Sequence, residues 1–215
     1  AFEKLNDADE LSTSTGTSSD TTAISLTSVI GSADTGAYDI AVSQLAQDQR
    51  MISDEYAATT STLNASSFNI SIVVGNTSTT TTAVTVTTPT PAGVVAAINA
   101  ASTGVTASLV DTGISGTNYR IILSGPTGSE GAFTVSSTPD LGFGDSGNTL
   151  QAAQNSVINF DGLTVTRSSN EISDVIEGVT MSLTETTSSA VRLNIVSDKA
   201  TLKTNLQNVV TAYNA

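Results

Sequence analysis

Seven basic residues stand against twenty acids in this chain of 215 residues, which has no histidine and no cysteine. Those two absences remove Ser-His and Cys-His nucleophile pairs, thiolate chemistry and ordinary zinc sites. A Ser-x-x-Lys pair needs serine three residues before Lys4, Lys199 or Lys203, and those positions hold Ala1, Val196 and Ala200. Paired carboxylates remain, the nearest being Asp9-Glu10 and Asp54-Glu55. Two acids hydrolyse a glycosidic bond only when a groove holds the sugar between them. Such grooves carry aromatic platforms, and this chain has no Trp and 4% aromatics, so both pairs read as solvated surface charge.

Other ligand chemistry fares no better. No Asp-x-Asp-x-Asp-Gly calcium loop occurs. Gly142-Phe143-Gly144-Asp145-Ser146-Gly147 matches Gly-x-Gly-x-x-Gly, but a dinucleotide fingerprint needs a strand before it and a helix opening at the last Gly. The preceding Ser137-Thr138-Pro139-Asp140 is turn chemistry. Asn64, Asn69 and Asn76 begin Asn-x-Ser/Thr sequons, which arise by chance in a chain so rich in Ser and Thr. The reading is therefore of a non-enzyme with no catalytic, cofactor-binding or metal residues. A net charge of −13 repels phosphate backbones and anionic lipid heads, so neither nucleic acid nor membrane is an expected partner.

The elements that carry these residues read as mainly β with a few short helices, a β-rich α+β class. Phe2, Leu5, Ala8 and Leu11 recur near every third residue and predict a short amphipathic helix. Ser12 to Thr22 reads as a polar linker or loose edge, followed by strands over 23–27 and 37–42, with Tyr38, Ile40 and Val42 on one face. Phe68, Ile70, Ile72 and Val74 alternate, as do Val84 and Val86. Thr90-Pro91 reads as N-cap and first residue of a helix with Val94, Ile98 and Ala101 on one face, stopped at Gly104. Strands follow around Val105-Ala107-Leu109, Tyr119-Ile121-Leu123 and Phe133-Val135. Pro139, Gly142, Gly144 and Gly147 mark a domain crossing. Beyond it, Asp161-Gly162 suits a type I′ hairpin turn. Ser168 and Glu171 have capping-box spacing for one or two helical turns ending at Gly178. Strands around Met181 and Leu193 lead to a last helix with Leu202, Leu206, Val209, Val210 and Tyr213 on one side.

This order predicts two β domains, one inserted in the other, on a short helical stem. The expected bounds are 1–12 and 197–215 for the stem, 13–60 and 149–196 for the first domain, and 61–148 for the inserted one with its helix. The chain opens on Ala1 and ends inside a helical pattern, so it reads as a fragment cut at both ends. Phe2, Leu5, Leu202, Leu206, Val209, Val210 and Tyr213 are the candidate stem and assembly contacts. A self-contained helix pair packed on its own domain and a stem continuing into further helices both fit them.

Phe160-Asp161-Gly162-Leu163-Thr164-Val165-Thr166-Arg167-Ser168-Ser169-Asn170-Glu171-Ile172-Ser173-Asp174-Val175-Ile176-Glu177-Gly178-Val179-Thr180 resembles a signature stretch of bacterial flagellar filament cap proteins, also called flagellar hook-associated capping proteins. Gly36-Ala37-Tyr38-Asp39-Ile40-Ala41-Val42-Ser43-Gln44-Leu45-Ala46-Gln47 is similar to that family's Gly-x-Tyr-x-Ile-x-Val-x-x-Leu-Ala segment. The middle block from Ala97-Ile98-Asn99 to Thr127-Gly128 resembles a module shared by flagellins and cap proteins, and 209–214 resembles the helix leading into the family's C-terminal part. The resemblance implies a secreted structural protein, ring-forming in full length, at the distal tip of the flagellum. There it would retain exported flagellin and promote its folding and polymerisation. Flagellin, other hook-associated proteins and a host surface are the implied partners, and no cofactor is implied. The alternative is an exposed binding module, adhesin-like or a flagellin surface domain. Residues 161–180 separate the two, because flagellin outer domains share the middle module without that signature.

Overall fold

Period-two alternation of apolar residues, interrupted by Gly, Asp and Asn, dictates most of the strands. The computed structural model describes residues 13–77 and 79–214, as fifteen strands and two α-helices. The first three strands are β1 (Ser14–Ser18), β2 (Ile24–Val29) and β3 (Gly36–Gln44). Then come β4 (Asp48–Ile52), β5 (Phe68–Val74), β6 (Thr80–Val86), helix α1 (Pro91–Ala100), β7 (Thr106–Asp111), β8 (Tyr119–Thr127), β9 (Phe133–Ser137) and β10 (Thr149–Gln151). The chain returns through β11 (Ser156–Phe160), β12 (Leu163–Arg167), β13 (Glu171–Ile172), β14 (Val179–Leu183) and β15 (Val191–Ser197) to helix α2 (Lys199–Tyr213). Two compact units result: one holds the described residues through Leu45 and from Ser156 on, the other Ala46–Asn155.

In the first unit a five-stranded sheet, β1-β15-β3-β11-β12, and a three-stranded sheet, β13-β14-β2, enclose one core. The larger sheet contributes Ile40, Val42, Ile158, Leu193 and Ile195, and the smaller Ile24, Ile172, Val179, Met181 and Leu183. Each such side chain is buried, contributing about 1.5–3 kcal/mol of transfer free energy. The hairpin between β11 and β12 turns on Asp161 (φ 47°) and Gly162 (φ 90°), the two positive values a type I′ turn demands.

In this unit one expectation is narrowed to its edge alternative and another is corrected. Residues 12–22 contain a paired edge strand, since β1 runs antiparallel to β15 from Ser14↔Ser197 to Ser18↔Leu193. Its polarity hid it, because an edge strand is held by backbone bonds and buries little. Gly16 permits the fit, since a Cβ there would come 2.4 Å from Leu26 Cδ1. The capping-box spacing at Ser168 and Glu171 starts no helix. Instead Ser169 Oγ accepts the Glu171 N–H at 3.0 Å, Ile172 pairs with Met181, and Arg167 grips Asp174 through Nε at 2.9 Å to both carboxylate oxygens. Short polar side chains offer the backbone this alternative to a helix.

In the second unit the sheets are β10-β4-β8-β7 and β6-β5-β9, with α1 against the core. Thr90 caps α1 by accepting the Gly93 N–H at 3.1 Å, and Pro91 opens it as expected. Gly93 is obligatory, because a Cβ there would meet Thr88 O at 1.9 Å. The helix ends at Ala100, earlier than Gly104, with Ser102 taking the positive φ (50°). The divisions between units fall after Leu45 and after Asn155, against the expected junctions at 60 and 148. Two things move them: β4 and β10 pair into the second unit's four-stranded sheet, and Leu141 and Phe143 sit in its core.

Candidate assembly surface

The formal catalytic candidates do not converge. Asp54 and Glu55 are exposed side by side, and Asp9-Glu10 lies outside the described residues. The Gly142–Gly147 loop leads into strand β10 with no helix, while Phe143 plugs the core and Asn148 Nδ2 donates to Gly142 O at 2.6 Å. Among the described residues no three acids are grouped to hold a metal ion.

Helix α2 carries five of the seven predicted contact residues, Leu202, Leu206, Val209, Val210 and Tyr213. Its start is fixed by Asp198, whose Oδ1 accepts the N–H groups of Ala200 and Thr201 at 3.1 Å each. The Thr201 hydroxyl is the main influence holding the Asp198 carboxyl below its usual range, followed by the Thr201 and Ala200 N–H groups. Asp198 is also tied to the start of β1: its N–H donates to Thr13 O at 2.7 Å, and Thr13 Oγ1 donates to Asp198 O at 2.5 Å. Residue 13 therefore lies beside the foot of α2.

Along α2, residues at i, i+4 and i+8 share one face. Leu202 is half-buried, while Leu206 is 45% and Val210 58% exposed. Of the other predicted contacts, the side chains of Val209 and Tyr213 and the whole of Phe2 and Leu5 lie outside the described residues. Leu202, Leu206 and Val210 share one open face of α2 with Lys199, Lys203 and Gln207.

The two lysines were not singled out in the sequence. Their significance emerges from the other cations: Arg50, Arg167 and Arg192 pair with Asp48, Asp174 and Asp39, and Arg120 binds Ser53 O and Asn148 Oδ1. Among the described residues Lys199 and Lys203 have no carboxylate partner. They also sit near the helix N-terminus, where the backbone dipole favours anions, so helix stability does not explain them.

A family model described as "Flagellar hook-associated protein 2 C-terminus" matches residues 153–215. The B-type flagellar hook-associated protein 2 of Pseudomonas aeruginosa is 29% identical over 209 residues, spanning 85% of this chain and 43% of that relative. The flagellar hook-associated protein 2 of Salmonella typhimurium is 26% identical over 130 residues, 55% of this chain and 27% of the relative. The crystal structure of the flagellar cap protein FliD D1-D2-D3 domains from Escherichia coli superposes with a TM-score of 0.84 at 28% identity, covering 99% of this chain and 66% of that one. The chain is similar to flagellar cap proteins over nearly its whole length. It spans less than half the length of these two curated relatives. The β-rich, two-sheet-pair architecture of the chain accords with that superposition, and the matched C-terminal segment contains both the Asp161-Gly162 hairpin and α2.

Proposed function

We propose that the full-length protein caps the distal tip of the bacterial flagellar filament, outside the cell, retaining exported flagellin and promoting its folding and polymerisation. The observation that carries this reading is the likeness to a flagellar cap protein over 99% of the chain. Flagellin and other hook-associated proteins are the partners, and full-length copies associate into a ring. The work is done by shape and association rather than a reactive side chain. The exposed binding module is not favoured, because the family model covers the 161–180 stretch that distinguishes caps from flagellin surface domains. Deleting the full-length gene tests the reading: unpolymerised flagellin should leak into the medium, and normal filaments without leakage would refute it.

Within that function, Phe2, Leu5, Leu202, Leu206, Val209, Val210 and Tyr213 serve as stem contacts. Residues 1–12 carry Glu3, Asp7, Asp9 and Glu10 against Lys4, the complement of a helix holding two unpartnered lysines and no acid. Thr13, which follows them in the chain, is bonded to Asp198 at the foot of that helix. Replacing Leu206 and Val210 with Asp in the full-length protein should leave both β units folded by circular dichroism and abolish rescue of the deletion strain. Full rescue would exclude the stem role.

A further inference from the structure

The Asp161-Gly162 peptide is the one Asp-Gly bond in the chain. Such a bond ages by a reaction that needs no enzyme. The Gly N attacks the Asp Cγ, the Cγ–OH bond breaks and water leaves, closing a five-membered succinimide. Water then adds back to either carbonyl, and addition at the main-chain carbonyl leaves the backbone running through the side chain as isoaspartate. The Gly N–H must be free to lose its proton, the Asp carboxyl must swing toward it, and water must reach the ring.

Water has access, because Asn159, Asp161 and Gly162 are all exposed. The other two requirements are blocked. Gly162 N–H donates to Asn159 Oδ1 at 3.0 Å, so the nucleophile is occupied. Asp161 Oδ1 accepts the Asp39 N–H at 2.9 Å, and Asp161 N–H donates to Asp39 O at 2.9 Å, so the electrophile is turned away onto β3. The clasp needs β3, β11 and the turn in place together, since Phe160 pairs with both Ile40 and Leu163.

We infer that Asp161 is a conformation-gated isoaspartate site, with Asn159 as the guard of the Gly162 amide. The folded hairpin suppresses succinimide formation, and any state with β3 and β11 separated, including the unfolded chain, releases it. Once formed, isoaspartate adds a methylene to the backbone at the turn and removes the Asp39 pairing, so the modified hairpin cannot regain its register.

The whole chain is incubated at neutral pH, folded or in unfolding urea, and isoaspartate at position 161 is followed by peptide mass spectrometry with fragmentation that separates the isomers. Accumulation should be at least tenfold faster in urea. Asn159→Ala in buffer should accelerate it about fivefold, the change in open population that one net hydrogen bond confers, with an unchanged circular dichroism spectrum. Equal rates in buffer and urea would overturn the inference without recourse to any variant. A folded Asn159→Ala protein ageing at the wild-type rate would overturn the guard role.

Discussion

In the first unit, successive strands of the large sheet are joined by backbone ladders between segments far apart in sequence: β1 on β15, β15 on β3, β3 on β11. In the second unit, made of one continuous segment, side-chain amides substitute for missing strands. Gln49 accepts the Phe133 N–H at 3.0 Å and donates to Phe133 O at 2.8 Å. Asn99, on α1, accepts the Ala107 N–H at 2.8 Å and donates to Ala107 O at 2.9 Å, closing the backbone of β7 at that residue. The cores differ too: the second buries Phe68, Phe133 and Phe143, while Tyr38 and Phe160 in the first are only partly buried and stack at 5.5 Å. Both units are laddered by backbone bonds, and the second adds two side-chain amides that each satisfy both backbone groups of a single residue.

Phe143→Ala presses hardest on that contrast. Phe143 is 2% exposed, and removing such a ring costs about 3–5 kcal/mol. Urea titration followed by methyl NMR should show Ile70 and Leu123 losing native signals at a lower midpoint, while Ile40 and Leu193 keep theirs. Equal loss in both units would mean that they do not unfold independently.

Asn99→Ala should cost less, about 1–3 kcal/mol, because it strands one donor and one acceptor on Ala107. Hydrogen exchange at the Ala107 amide should accelerate accordingly. Thr17→Ala on β1 is the matched control: its side chain is exposed, its strand is held by backbone bonds, and its effect should stay within about 0.5 kcal/mol. Comparable losses for the two substitutions would erase the distinction.

Legibility in the sequence followed the same division between backbone pattern and side-chain partner. Phe68 to Val74 reads as a strand because period-two alternation records burial directly. Thr90-Pro91 and Asp161-Gly162 are legible because each residue type has few backbone roles. Strands β1, β4 and β10 escaped, since edge or mixed-polarity strands carry no alternation to read. Ser168 and Glu171 misled because a Ser hydroxyl caps a helix and closes a turn with the same atoms. The apolar stripe of α2 was visible. Its lysines were not, because a charge lacking a partner is recognised only after every other charge has been paired. Gln49 and Asn99 left no trace, as an amide does not announce which distant backbone it will clasp.

The smallest expected difference between the units is their response to acid. Asp39, beside the Arg192 guanidinium, and Asp174, beside Arg167, are held below the usual carboxylate range. So are Asp20, through the Thr22 hydroxyl, and Asp198, through that of Thr201. All four belong to the first unit. Because their folded values lie below the unfolded ones, the unfolded chain binds more protons as pH falls through this range. Their stabilisation is therefore complete above about pH 4, the ordinary carboxylate value, and is lost as pH drops from there through the lower folded values. The groups are exposed, so each effect is modest, and salt should weaken those of the two arginine pairs. Methyl NMR in urea at pH 7 and pH 3 should show the Ile40 and Leu193 midpoint falling more than that of Ile70 and Leu123, with Asp39→Asn shrinking the gap. If the second unit yields first in acid, the polar contacts of the first do not contribute to its stability as their geometry requires.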